Sequence, residues 1–180
     1  MSFISLIPHA ATPHPSLWRV AARAIRHGEQ LTLDYRIEGD LAHLRLPTPD
    51  EPRRTDGLWR HTCCEAFLAV DGQTGYYELN FAPSTAWALY RFAGYRAEMS
   101  SVATSSPPCV IPRVCPDCFE LEAIAHLDGL PADAAWQLAL ATVIEARDGG
   151  LSYWALRHPP GPPDFHHPDS FTLRLESSAA

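Results

Sequence analysis

Three polar clusters in this chain contain residue types that bind ligands or metals. The first runs from Asp56 to Glu65, a loop that leads into an apolar strand, and includes His61, Cys63 and Cys64. Adjacent cysteines on a strand point to opposite faces and cannot easily share one metal ion, so we expect both thiols to be buried as small hydrophobic groups. Glu65 lies within the apolar stretch, and a lone carboxyl there needs partners.

A second polar pair occurs on the next predicted strand. Glu78 and Asn80, the only asparagine in the chain, project from one face of that strand. A face that combines them with Glu65, beside Trp59 or Trp87, would offer hydrogen bonds and a stacking platform for a sugar-sized polar ligand. The alternative is a solvated sheet face with ordinary cross-strand pairs.

The third cluster is the proline-rich loop 158–169, which contains His158, Asp164, His166 and His167. Histidine and aspartate could hold a metal ion here or exchange protons, whereas proline-rich loops also serve as stiff lids without chemistry. No Ser or Cys nucleophile is visibly paired with a base. Ligand contact by this loop is therefore favoured over catalysis.

The cysteines favour free thiols. Cys115 and Cys118 have a C-x-x-C spacing, but a structural zinc needs a second ligand pair, and only Cys109 or His126 lies nearby. Five cysteines are an odd number, and residues 1–8 lack the basic flank of a signal peptide. We therefore expect a cytoplasmic protein without a disulfide framework.

The elements that position these clusters are predicted to be strands. Apolar and polar residues alternate with period two through most of the chain, and turn residues separate the alternating segments. The segments are 31–38, 42–46, 63–70, 76–81, 87–92, 119–127, 136–146, 151–157 and 171–176. The first two look like a hairpin.

One short N-terminal helix is predicted over Ser16–His27, where Ser16 could cap and Leu17, Val20, Ala21 and Ala24 share a face.

Many strands without crossover helices indicate an all-β fold, specifically an antiparallel two-sheet β-sandwich that is jelly-roll-like. We see no domain boundary, so residues 1–180 are expected to form a single domain.

The charge composition excludes several classes of function. The net charge is −7, and all 14 basic residues are Arg. No basic stripe could follow a phosphate backbone, and no segment is long and apolar enough to span a membrane, so neither nucleic acid nor a membrane is an expected partner. Without Lys, Schiff-base enzymes, pyridoxal phosphate enzymes and P-loop proteins are excluded.

Three further motifs are spread over nearly the whole chain: Leu58-Trp59-x5-Glu65-x-Phe67, Tyr77-Glu78-Leu79-Asn80 and Phe165-His166-His167-Pro168-Asp169-Ser170-Phe171. Together they resemble the DOMON-like proteins related to family-9 carbohydrate-binding modules. A fourth stretch, residues 153–166, resembles the signature of a small bacterial subgroup of cytoplasmic type.

The resemblance implies a β-sandwich in which two aromatic rings clamp a terminal sugar. By motif position these rings are Trp59 and Phe165, and the polar residue near the sugar is Glu65, with Asn80 as a second candidate. The chain differs from the sugar-binding members at two positions: the second clamp residue is Phe rather than Trp, and Glu78 occupies the position of a sugar-contacting Arg.

Three functions remain open at this stage. The leading hypothesis is a non-catalytic module that binds a carbohydrate or similar small polar molecule through Trp59, Glu65, Glu78, Asn80, Trp87, Phe165 and His166. The second is haem binding, because some DOMON domains use Met and His as axial ligands and Met1 and Met99 are available. The third is a metal-assisted enzyme that uses the 158–169 loop. No cofactor is expected under the leading hypothesis.

Overall fold

The computed structural model describes residues 2–12, 18–131 and 133–177. Three short 3₁₀ turns, Leu41–His43, Leu58–Arg60 and Pro168–Ser170, accompany twelve strands in these ranges. The strands are β1 Ile4–Pro8, β2 Arg19–His27, β3 Gln30–Glu38, β4 Cys63–Val70, β5 Tyr76–Phe81, β6 Trp87–Phe92, β7 Ser100–Ser101, β8 Cys109–Val114, β9 Cys118–His126, β10 Trp136–Glu145, β11 Leu151–Ala155 and β12 Leu173–Leu175.

The strands form one curled antiparallel sheet. Their order is β7-β6-β5-β4-β10-β11-β1-β2-β3-β9-β8, and β12 pairs with β10. Strand β1 joins the two halves: Ile4, Ser5 and Leu6 pair with β2, while Ile7 and Pro8 pair with β11. The prediction of an all-β antiparallel fold is confirmed. The division into two separate sheets is not, because hydrogen bonding continues through β1.

The predicted N-terminal helix is wrong. Residues 19–27 form strand β2, which pairs with β3 over its whole length, and the proposed cap Ser16 lies outside the described residues. The buried positions of β2 alternate, with Val20, Ala22 and Ala24 inside. Alanine fits both a helical stripe and an alternating strand, and its high helix propensity favours a helix when only the local sequence is considered. In the folded protein the hydrogen-bonded ladder to β3 stabilises the strand instead.

The predicted hairpin after β3 is also wrong. Residues 42–46 form part of a 3₁₀ turn and a single bridge between Leu44 and Ala146, and β3 pairs instead with β2 and β9. Strand β8 is not among the predicted segments. Its Pro112 is tolerated because β8 is an edge strand of the sheet.

The two halves of the sheet enclose one hydrophobic core. Most strands contribute alternate residues to it: β4, for example, contributes Cys64, Ala66 and Leu68. The Tyr35 hydroxyl donates a 2.6 Å hydrogen bond to the backbone carbonyl of Glu65, which ties β3 to β4 across the core. The remaining residues of β4, β5, β6, β10 and β11 face the other way, and the candidate site lies on that face.

No helix within the described part of the chain has both the length and the apolar character needed to cross a membrane.

Candidate functional site

A cavity of about 430 Å³ opens on the outer face of strands β4, β5, β6, β10 and β11. Two loops complete it: residues 93–99 follow β6, and residues 156–172 follow β11. Its wall combines aromatic, aliphatic and acidic side chains with one arginine and one histidine. The lining residues are Trp59, Glu65, Glu78, Phe92, Arg96, Met99, Val143, Tyr153, Pro163, Phe165 and His166.

Glu65 reaches this wall because period-two alternation on β4 places it opposite the core residues Cys64 and Ala66. The residue is only 2% exposed, and its Oε1 atom is buried without a hydrogen-bond partner. Burial, and secondarily the nearby Glu78, raises the pKa of this carboxyl well above its usual range. An unpartnered buried carboxyl is costly, so a group from outside the chain is the natural partner.

Glu78 is held by the asparagine that the sequence singled out. Asn80 Nδ2 donates a 2.7 Å hydrogen bond to Glu78 Oε1, and Asn80 pairs across the ladder with Glu65. The Cys63 thiol lies 3.7 Å from Asn80 Oδ1 and donates to it. Burial raises the pKa of Glu78, against the lowering effect of the Asn80 hydrogen bond. Asn80 is fully buried and does not line the cavity, so it positions Glu78.

His166 is fixed as a neutral ring. The Tyr76 hydroxyl accepts a hydrogen bond from the backbone N–H of Arg96 at 3.2 Å, which leaves its own proton for His166 Nδ1 at 2.8 Å. The other ring nitrogen, Nε2, lies 3.8 Å from Glu78 Oε2. Burial, and then the charge of Arg96, lowers the pKa of His166 to about 4. His166 is therefore uncharged at neutral pH.

An ion pair joins the two loops that flank the cavity. Arg96 Nη2 lies 2.8 Å from Asp164 Oδ1, and the Tyr95 hydroxyl donates a 2.5 Å hydrogen bond to Asp164 Oδ2. Burial acts to raise the pKa of Asp164, but the hydrogen bonds from Tyr95 and Arg96 outweigh it, so this pKa is lowered. Arg96 adopts a left-handed backbone with φ of 52°. This backbone conformation is uncommon for residues other than glycine, so Arg96 is held in a locally strained conformation.

The two aromatic residues predicted as a clamp, Trp59 and Phe165, line the same cavity. Trp59 lies on the 3₁₀ turn after Gly57, whose φ of 76° suits glycine, and its ring meets Tyr90 edge-on with centroids 6.0 Å apart. Phe165 is 7% exposed and packs against Phe67, with centroids 6.3 Å apart. Trp59 is half-buried, so part of its surface stays exposed.

The structure brings five of the seven predicted ligand residues to the cavity wall: Trp59, Glu65, Glu78, Phe165 and His166. Asn80 lies behind the wall. Trp87 does not reach it, because alternation on β6 turns this indole into the hydrophobic core on the opposite face of the sheet. Ligand contact by Trp87 thus has no geometric basis.

The metal candidates of the 158–169 loop are separately engaged. His158 Nε2 lies 2.8 Å from the carbonyl oxygen of Ile7, Asp164 is paired with Arg96, and His167 Nδ1 accepts from the N–H of Asp169. In the ranges that the structure describes, no three His, Cys, Asp or Glu side chains are grouped to hold a metal ion. The five cysteines are free thiols.

A wider groove of about 930 Å³ lies at the loop between β8 and β9, beside Arg36, Glu38, Cys115 and Asp117. It is open to solvent and has no buried unpartnered acid. The groove also contains a buried atom without a hydrogen bond, Arg36 Nε, but this atom lies 3.2 Å from Glu38 Oε1 in an ion pair. The smaller cavity is the better ligand site, because it is more enclosed and its unpartnered Glu65 carboxyl has no such neighbour of opposite charge.

The sequence prediction missed several residues of the cavity. Tyr153 and Phe92 continue the alternation of their strands and could have been placed on the outer face of the sheet. Arg96, Met99 and Pro163 lie in loops, where local pattern carries no information about direction, and their position depends on the tertiary structure.

No protein-family model matches this chain, and no curated protein matches it significantly. Solved structures do share its fold. A proposed carbohydrate-binding protein from Bacteroides uniformis ATCC 8492 is 14% identical, with a TM-score of 0.70 over 94% of this chain and 84% of that one. A family 9 carbohydrate-binding module from Caldicellulosiruptor kristjanssonii in complex with cellotriose is 12% identical, with a TM-score of 0.60 over 97% and 81% of the chains.

The family 9 module from Caldicellulosiruptor kristjanssonii in complex with glucose is 13% identical to this chain, with a TM-score of 0.51 over 88% and 76% of the two chains. At these identities the likeness shows the fold alone: the chain is an all-β protein that shares the architecture of these three structures.

Proposed function

We propose that this protein is a non-catalytic module that binds a carbohydrate or similar small polar molecule in the cavity between Trp59 and Phe165. The observation that carries the proposal is the buried Glu65 Oε1 atom, which has no partner within the described residues and belongs to a side chain on the cavity wall. A ligand hydroxyl or amine would supply that partner.

The size and chemistry of the cavity suit a sugar. Its volume of about 430 Å³ falls at the lower end of the range for small-molecule sites, roughly 300–1,000 Å³. The exposed part of the Trp59 ring can stack on the C–H face of a sugar ring, while Phe165 provides an apolar surface. Glu65 and the Asn80-anchored Glu78 would orient the hydroxyl groups.

The titratable groups favour binding over catalysis. A glycosidase uses two carboxyl groups of which one is ionised, whereas burial raises the pKa of both Glu65 and Glu78. The thiols of Cys63 and Cys64 are fully buried, which raises their pKa and keeps them unreactive. His166 is neutral and its Nδ1 is engaged by Tyr76.

The related folds suggest which ligands to test first. Modules of the same architecture form complexes with cellotriose and with glucose. These two sugars and a panel of other neutral mono- and oligosaccharides are therefore the first probes.

Tryptophan fluorescence tests the proposal directly. Four of the five tryptophans are at most 7% exposed, and Trp59 is the half-buried one. We expect saturable fluorescence changes with at least one sugar of the panel, and calorimetric binding that Trp59→Ala weakens at least tenfold. Phe3→Ala, which removes an exposed aromatic ring outside the cavity, should bind like the wild type. A flat response to every sugar, or equal binding by Trp59→Ala, refutes the proposal.

A further inference from the structure

The acidic charge of the cavity wall is not balanced by the protein. Glu65 and Glu78 both line the cavity, and Arg96 is its only basic lining residue apart from the neutral His166. Arg96 is paired with Asp164 at 2.8 Å, so its charge is largely compensated. The wall therefore offers two carboxyl groups and no free cation in the part of the chain that the structure describes.

The groups that surround Glu65 on each neighbouring element do not change this balance. On its own strand Cys63 is a buried thiol, on β5 it faces Asn80 and Glu78, and on β10 it pairs with Ala141. The loops add His166, which burial keeps neutral, and the Arg96–Asp164 pair. Its strongest charged neighbour is Glu78, an acid. Nothing among the residues that the structure describes supplies Glu65 with a positive partner.

A positively charged ligand group satisfies both acids at once. An ammonium group carries three N–H donors, and hydrogen bonds between two charged groups are stronger than neutral ones. The aromatic rings of Trp59, Phe92, Tyr153 and Phe165 line the same cavity, and the faces of such rings attract cations. A neutral sugar offers neither carboxyl a positive charge, and an acidic sugar adds a third acidic group to the wall.

We infer that the ligand is an amino sugar, whose ammonium group binds between Glu65 and Glu78 while its ring lies against Trp59 and Phe165. This inference rests on the proposed function and specifies its ligand class. Burial raises the pKa of both carboxyls, and an ammonium group beside them lowers it, so any proton that they hold is released to the buffer when the amino sugar binds.

Isothermal titration at pH 7 with glucosamine, N-acetylglucosamine, glucose and glucuronic acid tests the inference. Charge-assisted hydrogen bonds exceed neutral ones by roughly 1.4 kcal/mol, so glucosamine should bind about tenfold more tightly than glucose or N-acetylglucosamine. Glucuronic acid should bind least. Titrations in two buffers of different ionisation enthalpy should reveal proton release with glucosamine and none with glucose.

Two variants locate the ammonium group. Glu65→Gln and Glu78→Gln remove a charge but keep a hydrogen-bonding side chain, so each should lower glucosamine affinity by a factor about tenfold larger than the factor by which it lowers glucose affinity. Glu120→Gln is the control. Glu120 lies on strand β9, outside the cavity, where it pairs with Arg36 of β3, so this variant should bind both sugars like the wild type. Circular dichroism verifies that each variant is folded. If one of the two cavity variants does not fold, the other alone tests the inference.

The outcomes separate the inference from the proposed function. Glucose that binds as well as glucosamine, or a glucosamine preference that survives in both cavity variants, overturns the inference and leaves sugar binding intact. Absence of binding by every sugar, with or without an amine, refutes the proposed function and the inference together.

Discussion

Replacing Glu65 by Gln should change how the stability of the protein depends on pH. In the unfolded chain this carboxyl ionises near pH ~4.3, whereas in the folded protein burial, and then Glu78, raises its pKa well above that value. Between the two pKa values the folded state holds a proton that the unfolded state has released. The free energy of unfolding therefore falls as the pH rises, by about 1.4 kcal/mol per pH unit for this group.

Other groups restrict the pH window in which Glu65 can be observed. Burial lowers the pKa of His166 in the folded protein to about 4, and it also lowers the pKa of His158. Both histidines therefore make the free energy of unfolding rise with pH, until the unfolded histidines lose their protons at pH ~6.5. Burial raises the pKa of Cys63 and Cys64, which lowers stability above pH ~8, where unfolded thiols ionise. Between about pH 6.5 and 8 the buried carboxyls therefore dominate the pH dependence of stability. Each carboxyl that stays protonated in the folded protein over this interval lowers the free energy of unfolding by about 2 kcal/mol.

Urea unfolding at several values from pH 6.5 to 8 measures this directly. The wild type should lose stability across the window, and Glu65→Gln should lose less, with a difference of at most about 2 kcal/mol over the same interval. Glu78→Gln should also reduce the loss, because burial raises the pKa of this carboxyl too. Glu120→Gln serves as the control for removal of one carboxylate and should follow the wild type. Parallel curves for wild type and Glu65→Gln would show that Glu65 is ionised in the folded protein and would refute the reasoning.

Three further predictions concern stability and reactivity. Gly75→Ala should lower the free energy of unfolding by at least about 1–3 kcal/mol in urea titrations, because φ is 74° and an added Cβ meets the backbone of β6; an unchanged midpoint would contradict this. Tyr76→Phe should cost about 1 kcal/mol, since it removes the hydroxyl that donates to the cavity histidine, and unchanged stability would argue against that bond. In native protein a thiol reagent should modify exposed Cys109 readily and spare Cys63 and Cys64 until denaturant is added; mass spectrometry of the labelled peptides decides this.

Much of the strand content follows from alternation alone. The predicted segments at 63–70, 76–81 and 87–92 coincide with β4, β5 and β6. In these strands large apolar residues and turn residues leave only one consistent period. In β2 alanine dominates and fits either period, which is why a helix was predicted there.

The candidate site was partly visible in the sequence. Alternation placed Glu78 and Asn80 on one face, and the apolar surroundings of Glu65 marked its carboxyl as needing a partner. Nothing local indicated that Arg96 would meet Asp164, because loop direction depends on distant contacts. Trp87 and Trp59 were equivalent candidates by residue type, and only their opposite sides of the sheet distinguish them.

The amino-acid sequence by itself determined the period-two pattern, and with it most of the strands and the faces on which their side chains lie, because these follow from backbone geometry and burial over a few residues. The tertiary structure alone decided which strands pair, that β1 joins both halves of the sheet, and that two loops close a cavity over Glu65. Those outcomes depend on contacts between residues far apart in the chain, whose energies no short stretch of sequence contains.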